Sequence, residues 1–178
     1  MNIGYACLTV GVPNTGMKTC NMKNATDEKL RSLIENNLWA LENIIDYNIR
    51  NGILLFRISS DLIPFGSSPV NSLTWDKIFE ERFHAIGQKI RKSGMRVSMH
   101  PGQYTVINSP TEDVVKRAEE DLEYHVRVLD SLGTGAESKI VLHVGGVYGD
   151  KEEALRRFES RYRKLGDGIK KRLVLEND

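Results

Sequence analysis

The order of apolar segments is the feature of this chain that most limits its fold. Five short apolar runs alternate with four longer segments in which apolar residues recur every three or four positions. The short runs predict buried β-strands, and the longer spacing predicts amphipathic helices. The sequence therefore predicts the order (βα)₄β. The predicted strands are Asn2–Cys7, Ile53–Ile58, Arg96–His100, Lys139–His143 and Leu173–Glu176.

Residues typical of helix starts precede each of the four helical segments. Thr26, Thr74 and Asp150 carry side-chain oxygens that can accept hydrogen bonds from the first backbone amides of a helix. Ser109–Glu112 has the sequence of a capping box, with proline at the first helical position. We therefore expect the helices to begin at these four places.

Glycines mark two of the helix ends, and the apolar faces of the helices give the expected core. Gly94 and Gly166 follow the second and fourth helices and are expected to end them. The apolar faces should pack on the sheet. They consist of Leu30, Leu33, Ile34, Leu38, Leu41 and Ile45; Trp75, Ile78, Phe79, Phe83, Ile86 and Ile90; Val115, Ala118, Leu122, Leu129 and Leu132; and Leu155, Phe158, Tyr162 and Leu165.

The strands and loops predict a parallel sheet with its functional residues at one edge. Ile140–Leu142 and Leu173–Leu175 are apolar without alternation, which is typical of parallel strands that are buried on both faces. The long connections Leu8–Ala25, Ser59–Leu73 and Pro101–Asn108 all follow strands rather than helices. We therefore expect function to lie at the carboxyl ends of the strands.

Two α/β architectures place their sites at this edge, the doubly wound sheet and the TIM barrel. We favour the barrel, because candidate ligands follow three different strands. A barrel typically needs about 250 residues, so residues 1–178 are expected to be the truncated amino-terminal part of a single TIM-barrel domain, about half of it. A natural open-sheet domain is the alternative, and a final buried strand without a covering helix argues against it.

Composition narrows the classes of partner. The net charge of +1 provides no overall basic field, so any anionic partner must be met by a local surface. No segment approaches the run of about 20 apolar residues that spans a membrane, and no organic cofactor is expected.

Cys7 and Cys20 have no metal-site spacing and no signal sequence precedes them, which favours a reducing, cytoplasmic location. Cys7 is expected to be a core or pocket residue rather than a nucleophile.

Three residues at strand ends form a candidate metal site. His100, His143 and Glu176 each end a predicted strand, so they recur at one position of the repeated unit. Imidazole and carboxylate together suit Zn²⁺, Mn²⁺, Fe²⁺ or Co²⁺. His84 and His125 lie on helices and are expected to be structural.

The loop after the third strand carries candidate binding residues. Gln103 and Tyr104 follow a tight Pro-Gly turn that should project them beyond the strand end. Aromatic rings can stack on nucleobases, and glutamine can hydrogen-bond an exposed base edge. Tyr5, near the end of the first strand, could point into the same space.

The end of the second strand carries a cation and two hydroxyls. Arg57, Ser59 and Ser60 suit contact with phosphate. Arg57 could equally pair with a buried carboxylate inside the barrel.

Five motifs are distributed over essentially the whole chain: Ile3–Cys7, Phe56–Phe65, His100–Tyr104, Leu142–Gly146 and Leu175–Asp178. Together they resemble the ultraviolet damage endonucleases (UvdE, also called UvsE). The His-Pro-Gly-Gln-Tyr loop is the most specific part of this resemblance.

This resemblance implies a TIM barrel that binds divalent metals, commonly manganese, and nicks double-stranded DNA immediately 5′ to ultraviolet photoproducts. It implies that His100, His143 and Glu176 are metal ligands, that Gln103 and Tyr104 probe the duplex opposite the lesion, and that Tyr5 lies near the damaged nucleotides. Some relatives carry a further histidine ligand after the second strand, where this chain reads Gly66–Pro69. The remaining ligands of the family belong to later strands.

The expected function is therefore DNA repair by metal-assisted phosphodiester hydrolysis, with residues 1–178 alone weakly active or inactive. A metal-dependent sugar isomerase or epimerase on a similar barrel is one alternative. A non-catalytic damage-binding module is another. Gln103 and Tyr104, with the hydroxyls of Ser59 and Ser60, favour DNA over sugar.

Overall fold

The strands form one parallel sheet whose order follows the chain, in a computed structural model that describes residues 3–176. Each strand pairs in parallel with the next, giving the order β1-β2-β3-β4-β5. The predicted α/β class and (βα)₄β order are confirmed, and this is the strand order of a TIM barrel. The strands are β1 (Gly4–Ala6), β2 (Leu55–Ile58), β3 (Arg96–Met99), β4 (Ile140–His143) and β5 (Leu173–Glu176).

Six helices connect these strands, two more than the sequence predicts. The connections after β2 and β4 each contain two helices in place of one. The helices are α1 (Asp27–Arg50), α2 (Trp75–Ile78), α3 (Glu80–Ser93), α4 (Glu112–Ser131), α5 (Lys151–Lys164) and α6 (Asp167–Arg172). None of them has the length and apolar character needed to cross a membrane.

The helices share one apolar core with a single face of the sheet. Phe56, Val97 and Ile140 on this face are at most 2% exposed, and they pack against the buried faces of the helices. The predicted burial of Ile140–Leu142 and Leu173–Leu175 on both faces is wrong for the described residues, because no element between residues 3 and 176 covers the other face. That open face forms a cleft of about 590 Å³.

Several helix boundaries lie where local sequence predicts them. The side chain of Thr26 accepts a hydrogen bond from the amide of Lys29, and Asp150 caps α5 in the same way. Gly94 ends α3 with a φ of 69°, in the left-handed region that glycine adopts without strain. At these three positions the contact that ends or begins the helix is made within one helical turn.

Three other boundaries differ from the prediction. Thr74 precedes α2 without a side-chain cap, and the helix expected there is interrupted at Phe79, whose φ is −112°. Thr111 rather than Ser109 precedes α4, because Thr111 is extended, and Ser109 instead accepts from the Thr111 amide. Gly166 is also extended, so it precedes α6 as its N-cap and the chain turns into a further helix before β5.

The fourth predicted helix corresponds to α5, and only half of its predicted apolar face is correct. Phe158 and Leu165 are buried, whereas Leu155 is 49% and Tyr162 is 36% exposed. Ala154, on the same side as Phe158, is buried in their place. The buried stripe of α5 therefore passes through Ala154 and Phe158 rather than through Leu155 and Tyr162.

A buried asparagine holds the long loop after β1 against the helix layer. Asn37 of α1 is fully buried; it accepts from the amide of Lys18 and donates to the carbonyls of Lys18 and Leu62. It therefore ties the loops after β1 and β2 to one helix.

Candidate metal centre

The ends of three neighbouring strands bring His100, His143 and Glu176 together. In the pairing of β4 with β5, His143 lies opposite Glu176, and His100 directly follows β3. Nε2 of His100 lies 2.9 Å from Oε2 of Glu176, and Nε2 of His143 lies 4.0 Å from the same oxygen. The two imidazole rings are tilted, with centroids 4.8 Å apart.

Alternation along the strands explains why these side chains converge. Met99 and Leu142 point into the helix-facing core, so the next residues, His100 and His143, point to the open face. The cluster therefore lies at the carboxyl edge of the open face, and each of its residues is at least partly exposed.

Hydrogen bonding prepares His100 to act as a ligand through Nε2. Its Nδ1 lies 2.8 Å from the carbonyl oxygen of Pro101, and a carbonyl can only accept, so Nδ1 carries the hydrogen. Nε2 faces Glu176, whose carboxylate can likewise only accept, so Nε2 carries a hydrogen as well, and a bound metal ion would replace that hydrogen. Histidine ligands commonly donate their other ring N–H to a carbonyl in this way.

The carboxylate of the cluster is held in its charged form. The hydrogen bond from His100 is the main cause that lowers the pKa of Glu176, and the charges of His143 and Arg57 act in the same direction. A charged carboxylate is the form that binds cations.

The donor set and spacing fit a divalent transition metal. One ligand atom from each side chain can be chosen so that all three lie within 4.8 Å of one another. Two ligands of a tetrahedral ion with bonds of about 2.1 Å lie roughly 3.4 Å apart, which is close to the distances found here. His100, His143 and Glu176 could therefore hold such an ion with small movements.

The loop after His100 projects two side chains away from an anchored base. Pro101 and Thr105 are buried, and the amide of Thr105 donates to the carbonyl of Gly102, closing a turn. Gln103 and Tyr104 are exposed at its tip, Tyr104 to 76%. A Cβ atom on Gly102 would lie 2.4 Å from the Tyr104 ring, so the close approach of the ring requires glycine.

Arg57 and Ser59 lie at the carboxyl end of β2. Arg57 alternates with the buried Phe56 and Ile58, so it is on the open face, where its charge lowers the pKa of Glu176. It forms no ion pair with a carboxylate of residues 3–176, so the alternative of a buried carboxylate partner finds no support there. The hydroxyl oxygen of Ser59 accepts from the amide of Asp61, which leaves its hydrogen available.

The hydroxyl of Ser60 does not point outward as the sequence suggested. Its Oγ lies 2.6 Å from the carbonyl oxygen of His100 and 3.0 Å from Nε2 of His125. The hydroxyl is therefore engaged behind the cluster, so Ser60 is not placed for phosphate contact.

Tyr5 faces the helix layer rather than the cluster. Its ring packs edge-on against Phe56 with centroids 5.2 Å apart, and its hydroxyl donates to Oδ1 of the buried Asn48 at 2.7 Å and lies 2.8 Å from Oγ1 of Thr9. Because Tyr5 pairs with Phe56 in register, the two share a face of the sheet. The expectation that Tyr5 points into the space of Gln103 and Tyr104 is wrong in this structure.

The remaining histidines and Cys7 lie away from the cluster or are engaged elsewhere. His84 is exposed on α3 and hydrogen-bonds to Gln88 at 2.8 Å, and His125 is fully buried. Cys7 is a free, half-buried thiol whose pKa is raised by burial, which disfavours the thiolate. A surface pocket of about 630 Å³ lies in the outer layer near Asp76 and Gly166, and no cluster residue lines it.

Sequence reasoning assigned His125 a structural role but missed its polar neighbours Asp121 and Tyr124 behind the cluster. Asp121, Tyr124 and His125 are at least 94% buried in α4, beside the apolar stripe that predicts its core face. Several polar residues at core positions of one helix would have been the signal, because buried polar groups need partners.

Comparison with protein-family models gives one family over the entire chain. The model for "UV-endonuclease UvdE" matches residues 1–178. The chain belongs to the UvdE family. The resemblance inferred from the motifs is thus confirmed.

Curated members of the UvdE family are substantially longer than this chain. The UV DNA damage endonuclease of Clostridium perfringens is 47% identical over 178 residues, which are all of this chain and 43% of that protein. The one from Bacillus velezensis is 39% identical over 153 residues, 85% of this chain and 47% of that protein. The chain therefore spans about half the length of the curated relatives it matches.

Solved structures agree with the UvdE assignment. The crystal structure of SacUVDE superimposes with a TM-score of 0.96 and 40% identity, over all of this chain and 61% of that one. A D-psicose 3-epimerase from Clostridium cellulolyticum H10 gives a TM-score of 0.50 at 14% identity, over 75% of this chain and 45% of that one. The second match shows a shared fold only.

Proposed function

We propose that the complete protein is a DNA repair endonuclease that nicks DNA immediately 5′ to ultraviolet photoproducts by metal-assisted hydrolysis. The observation that carries this proposal is the cluster of His100, His143 and Glu176 at three neighbouring strand ends of a UvdE-family chain. The curated relatives are described as UV DNA damage endonucleases.

In this proposal His100, His143 and Glu176 hold divalent metal, preferably Mn²⁺. When bound, the metal supplies an activated water and neutralises charge on the attacked phosphate. His100 presents Nε2 because Nδ1 is committed to the carbonyl of Pro101. Glu176 contributes a carboxylate that is charged at neutral pH, since its pKa is lowered.

The charged and hydroxyl groups beside the cluster would position the DNA backbone. Arg57 is on the same open face, and its guanidinium can donate two hydrogen bonds to one phosphate. Ser59 retains a hydroxyl hydrogen for a second phosphate contact. Because these contacts are to the backbone, they hold the strand without reading its sequence.

The loop tip would select damaged sites. Gln103 and Tyr104 are exposed beyond the strand end, where a glutamine amide and an aromatic ring can contact unpaired bases. A crosslinked dinucleotide stacks poorly, so extruding it costs less than extruding normal bases. Selection then depends on the deformability of the duplex rather than on its sequence.

The test is nicking of ultraviolet-irradiated supercoiled plasmid by the complete protein with Mn²⁺. We expect relaxation of irradiated plasmid but not of untreated plasmid, with end mapping that places the cut immediately 5′ to the photoproduct. His143→Ala should reduce nicking at least 100-fold, because removing a ligand disrupts the metal site. His84→Ala is the matched control, since His84 is an exposed histidine on α3, away from the cluster.

Three outcomes would contradict this proposal. Equal cutting of irradiated and untreated plasmid would show that the protein does not recognise damage. Binding of irradiated DNA without cutting, whichever divalent metal ion is added, would indicate a damage-binding module. Metal-dependent epimerisation of a ketose without nicking would support the sugar-enzyme alternative. Residues 1–178 expressed alone are expected to nick weakly or not at all, because the relatives are about twice as long.

A further inference from the structure

A buried group of polar side chains lies directly behind the candidate metal centre. It consists of Ser60 after β2 and of Asp121, Tyr124 and His125 on α4, and we call it the Ser60 network. His125 is 0%, Tyr124 5% and Asp121 6% exposed. Such burial is unfavourable unless the polar atoms have partners, so each of these contacts constrains the structure around it.

The network reaches the cluster through the backbone of His100. Oγ of Ser60 lies 2.6 Å from the carbonyl oxygen of His100, the shortest of its contacts. The next carbonyl, that of Pro101, accepts from Nδ1 of the His100 ring. The peptide groups that follow His100 are therefore held from behind by Ser60 and in front by the ligand ring itself.

Ser60 is in turn fixed from two sides by α4. The hydroxyl of Tyr124 donates to the carbonyl of Ser60 at 2.8 Å and accepts from the amide of Ile63 at 3.2 Å. Nε2 of His125 lies 3.0 Å from Oγ of Ser60. The single hydroxyl hydrogen of Ser60 thus has two acceptors in reach, one on α4 and one on His100.

The orientation of His125 is set within α4. Burial lowers the pKa of His125, so the ring is neutral and Nδ1 donates to the carbonyl of Asp121 at 2.6 Å. The carboxylate of Asp121 accepts from the hydroxyl of Thr105 at 2.7 Å. Thr105 closes the turn that carries Gln103 and Tyr104, so one turn of α4 contacts both Ser60 and this loop.

We propose that Ser60 is a positioning residue for the metal centre: it fixes the backbone of His100 so that Nε2 faces Glu176. This inference rests on the proposed metal site at His100, His143 and Glu176. Groups behind a metal ligand typically change metal affinity by about 10- to 100-fold when they are removed. Ser60 acts on the backbone of the ligand rather than on its ring, so we expect the lower end of this range.

The test is the Mn²⁺ affinity of Ser60→Ala in the complete protein, measured by electron paramagnetic resonance of free Mn²⁺. We expect an affinity about tenfold weaker than that of the unmodified protein. Nicking should need about ten times more Mn²⁺ for half-maximal rate, whereas KM for DNA at saturating Mn²⁺ should not change. If Ser60 only stabilised the fold, Ser60→Ala would not raise the Mn²⁺ concentration needed for half-maximal rate while leaving KM for DNA unchanged.

Two further variants make the result decisive. Ser131→Ala is the matched control, because its hydroxyl also donates to a backbone carbonyl, that of Arg127 at 2.7 Å, at the far end of α4. Tyr124→Phe keeps the ring packing and removes the contact to the Ser60 carbonyl, so it should also weaken Mn²⁺ binding. If circular dichroism shows that Ser60→Ala does not fold, the Mn²⁺ affinity of Tyr124→Phe tests the positioning role in its place.

The possible outcomes separate this inference from the proposed function. If folded Ser60→Ala binds Mn²⁺ as tightly as the unmodified protein, the positioning role is wrong while the metal site stands. If His143→Ala leaves Mn²⁺ binding unchanged, the metal site itself is misassigned and both proposals fail. Weaker binding by Ser60→Ala and Tyr124→Phe, with Ser131→Ala unaffected, supports the positioning role.

Discussion

At the residue scale, the direction of each side chain along its strand decides which predicted residues can meet. His100 and His143 follow core-facing residues and therefore point to the open face, whereas Tyr5 is in register with Phe56 and points to the helices. The sequence identifies strand ends from local apolar runs. It could not assign the face of Tyr5, because β1 has only three residues and little alternation to read.

The position of Tyr5 predicts a stabilising role. Tyr5→Phe removes the hydrogen bond to the buried Asn48 and should lower the free energy of unfolding by about 1 kcal/mol. Mn²⁺ affinity should not change, because the ring lies on the other face of the sheet. Urea unfolding measures the first quantity and paramagnetic resonance the second.

Tyr104→Phe is the matched control for stability. Tyr104 is 76% exposed, and its hydroxyl forms no hydrogen bond within residues 3–176, so its loss should leave the unfolding midpoint unchanged. If Tyr5→Phe is as stable as the unmodified protein but binds irradiated DNA more weakly, the stabilising role of Tyr5 is wrong. Such a result would favour a position near the damaged nucleotides, as the family resemblance implies.

At the element scale, half of the local helix-end signals were predictive and contacts between elements were not. Thr26, Asp150 and Gly94 act on the backbone next to them, so their sequence alone places the helix end. The short helix α2 depends on a neighbour. Arg127 of α4 lies over the Trp75 ring at 4.2 Å and pairs with Asp76, joining α2 to α4 across 51 positions of sequence.

The Asp76–Arg127 pair predicts a specific acid sensitivity. The hydrogen bond from Arg127 is the first cause that lowers the pKa of Asp76 in the folded state. A group with a lowered folded pKa adds stability above its unfolded pKa, about 3.9, and loses it as the pH falls through the folded value. Asp76→Asn should therefore be less stable than the unmodified protein at pH 7, and the difference should shrink below about pH 4.

Urea unfolding at pH 7 and pH 3 measures this difference. Glu35→Gln is the control, because Glu35 is an exposed carboxylate on α1 without an ion pair among the described residues, so its effect should be small at both pH values. A stability deficit of Asp76→Asn that is equally large at pH 3 would show that lost packing, rather than the ion pair, is responsible.

At the scale of the whole molecule, the sheet is covered by helices on one face and open on the other. The sequence predicted the order and direction of all five strands. Local patterns define each βα unit, and a connection long enough to contain a helix returns the chain to a parallel strand. The sequence also predicted which strand ends carry His100, His143 and Glu176. The contacts of Ser60 and Asn37 could not be predicted: Ser60 meets His100, Tyr124 and His125 at 40 to 65 positions away in sequence, and Asn37 meets Lys18 and Leu62 at 19 and 25 positions away.

The outer strands of the sheet predict self-association of residues 1–178 when expressed alone. β1 and β5 have free edges among the described residues, and Leu175 of β5 is 51% exposed. Exposed edges with apolar side chains pair with other chains. Sedimentation velocity should show association that increases with concentration and that Leu175→Lys reduces.

Val10→Lys is the control for this prediction. Val10 is 91% exposed but lies in the loop after β1, away from a sheet edge, so the added charge should have little effect on association. If residues 1–178 stay monomeric at all concentrations, the prediction is wrong. If Val10→Lys reduces association as much as Leu175→Lys does, the strand edge is not the contact.

The sequential order of the strands also has a consequence for synthesis on the ribosome. His100, His143 and Glu176 are 76 positions apart at most, and the last element that positions them is β5, which carries Glu176 itself. Domains generally fold as units, and amino-terminal domains fold first during synthesis. In the proposed function, the three candidate ligands and the Ser60 network behind them have all been synthesised once Glu176 is added, and metal capture would follow the folding of the domain that contains them.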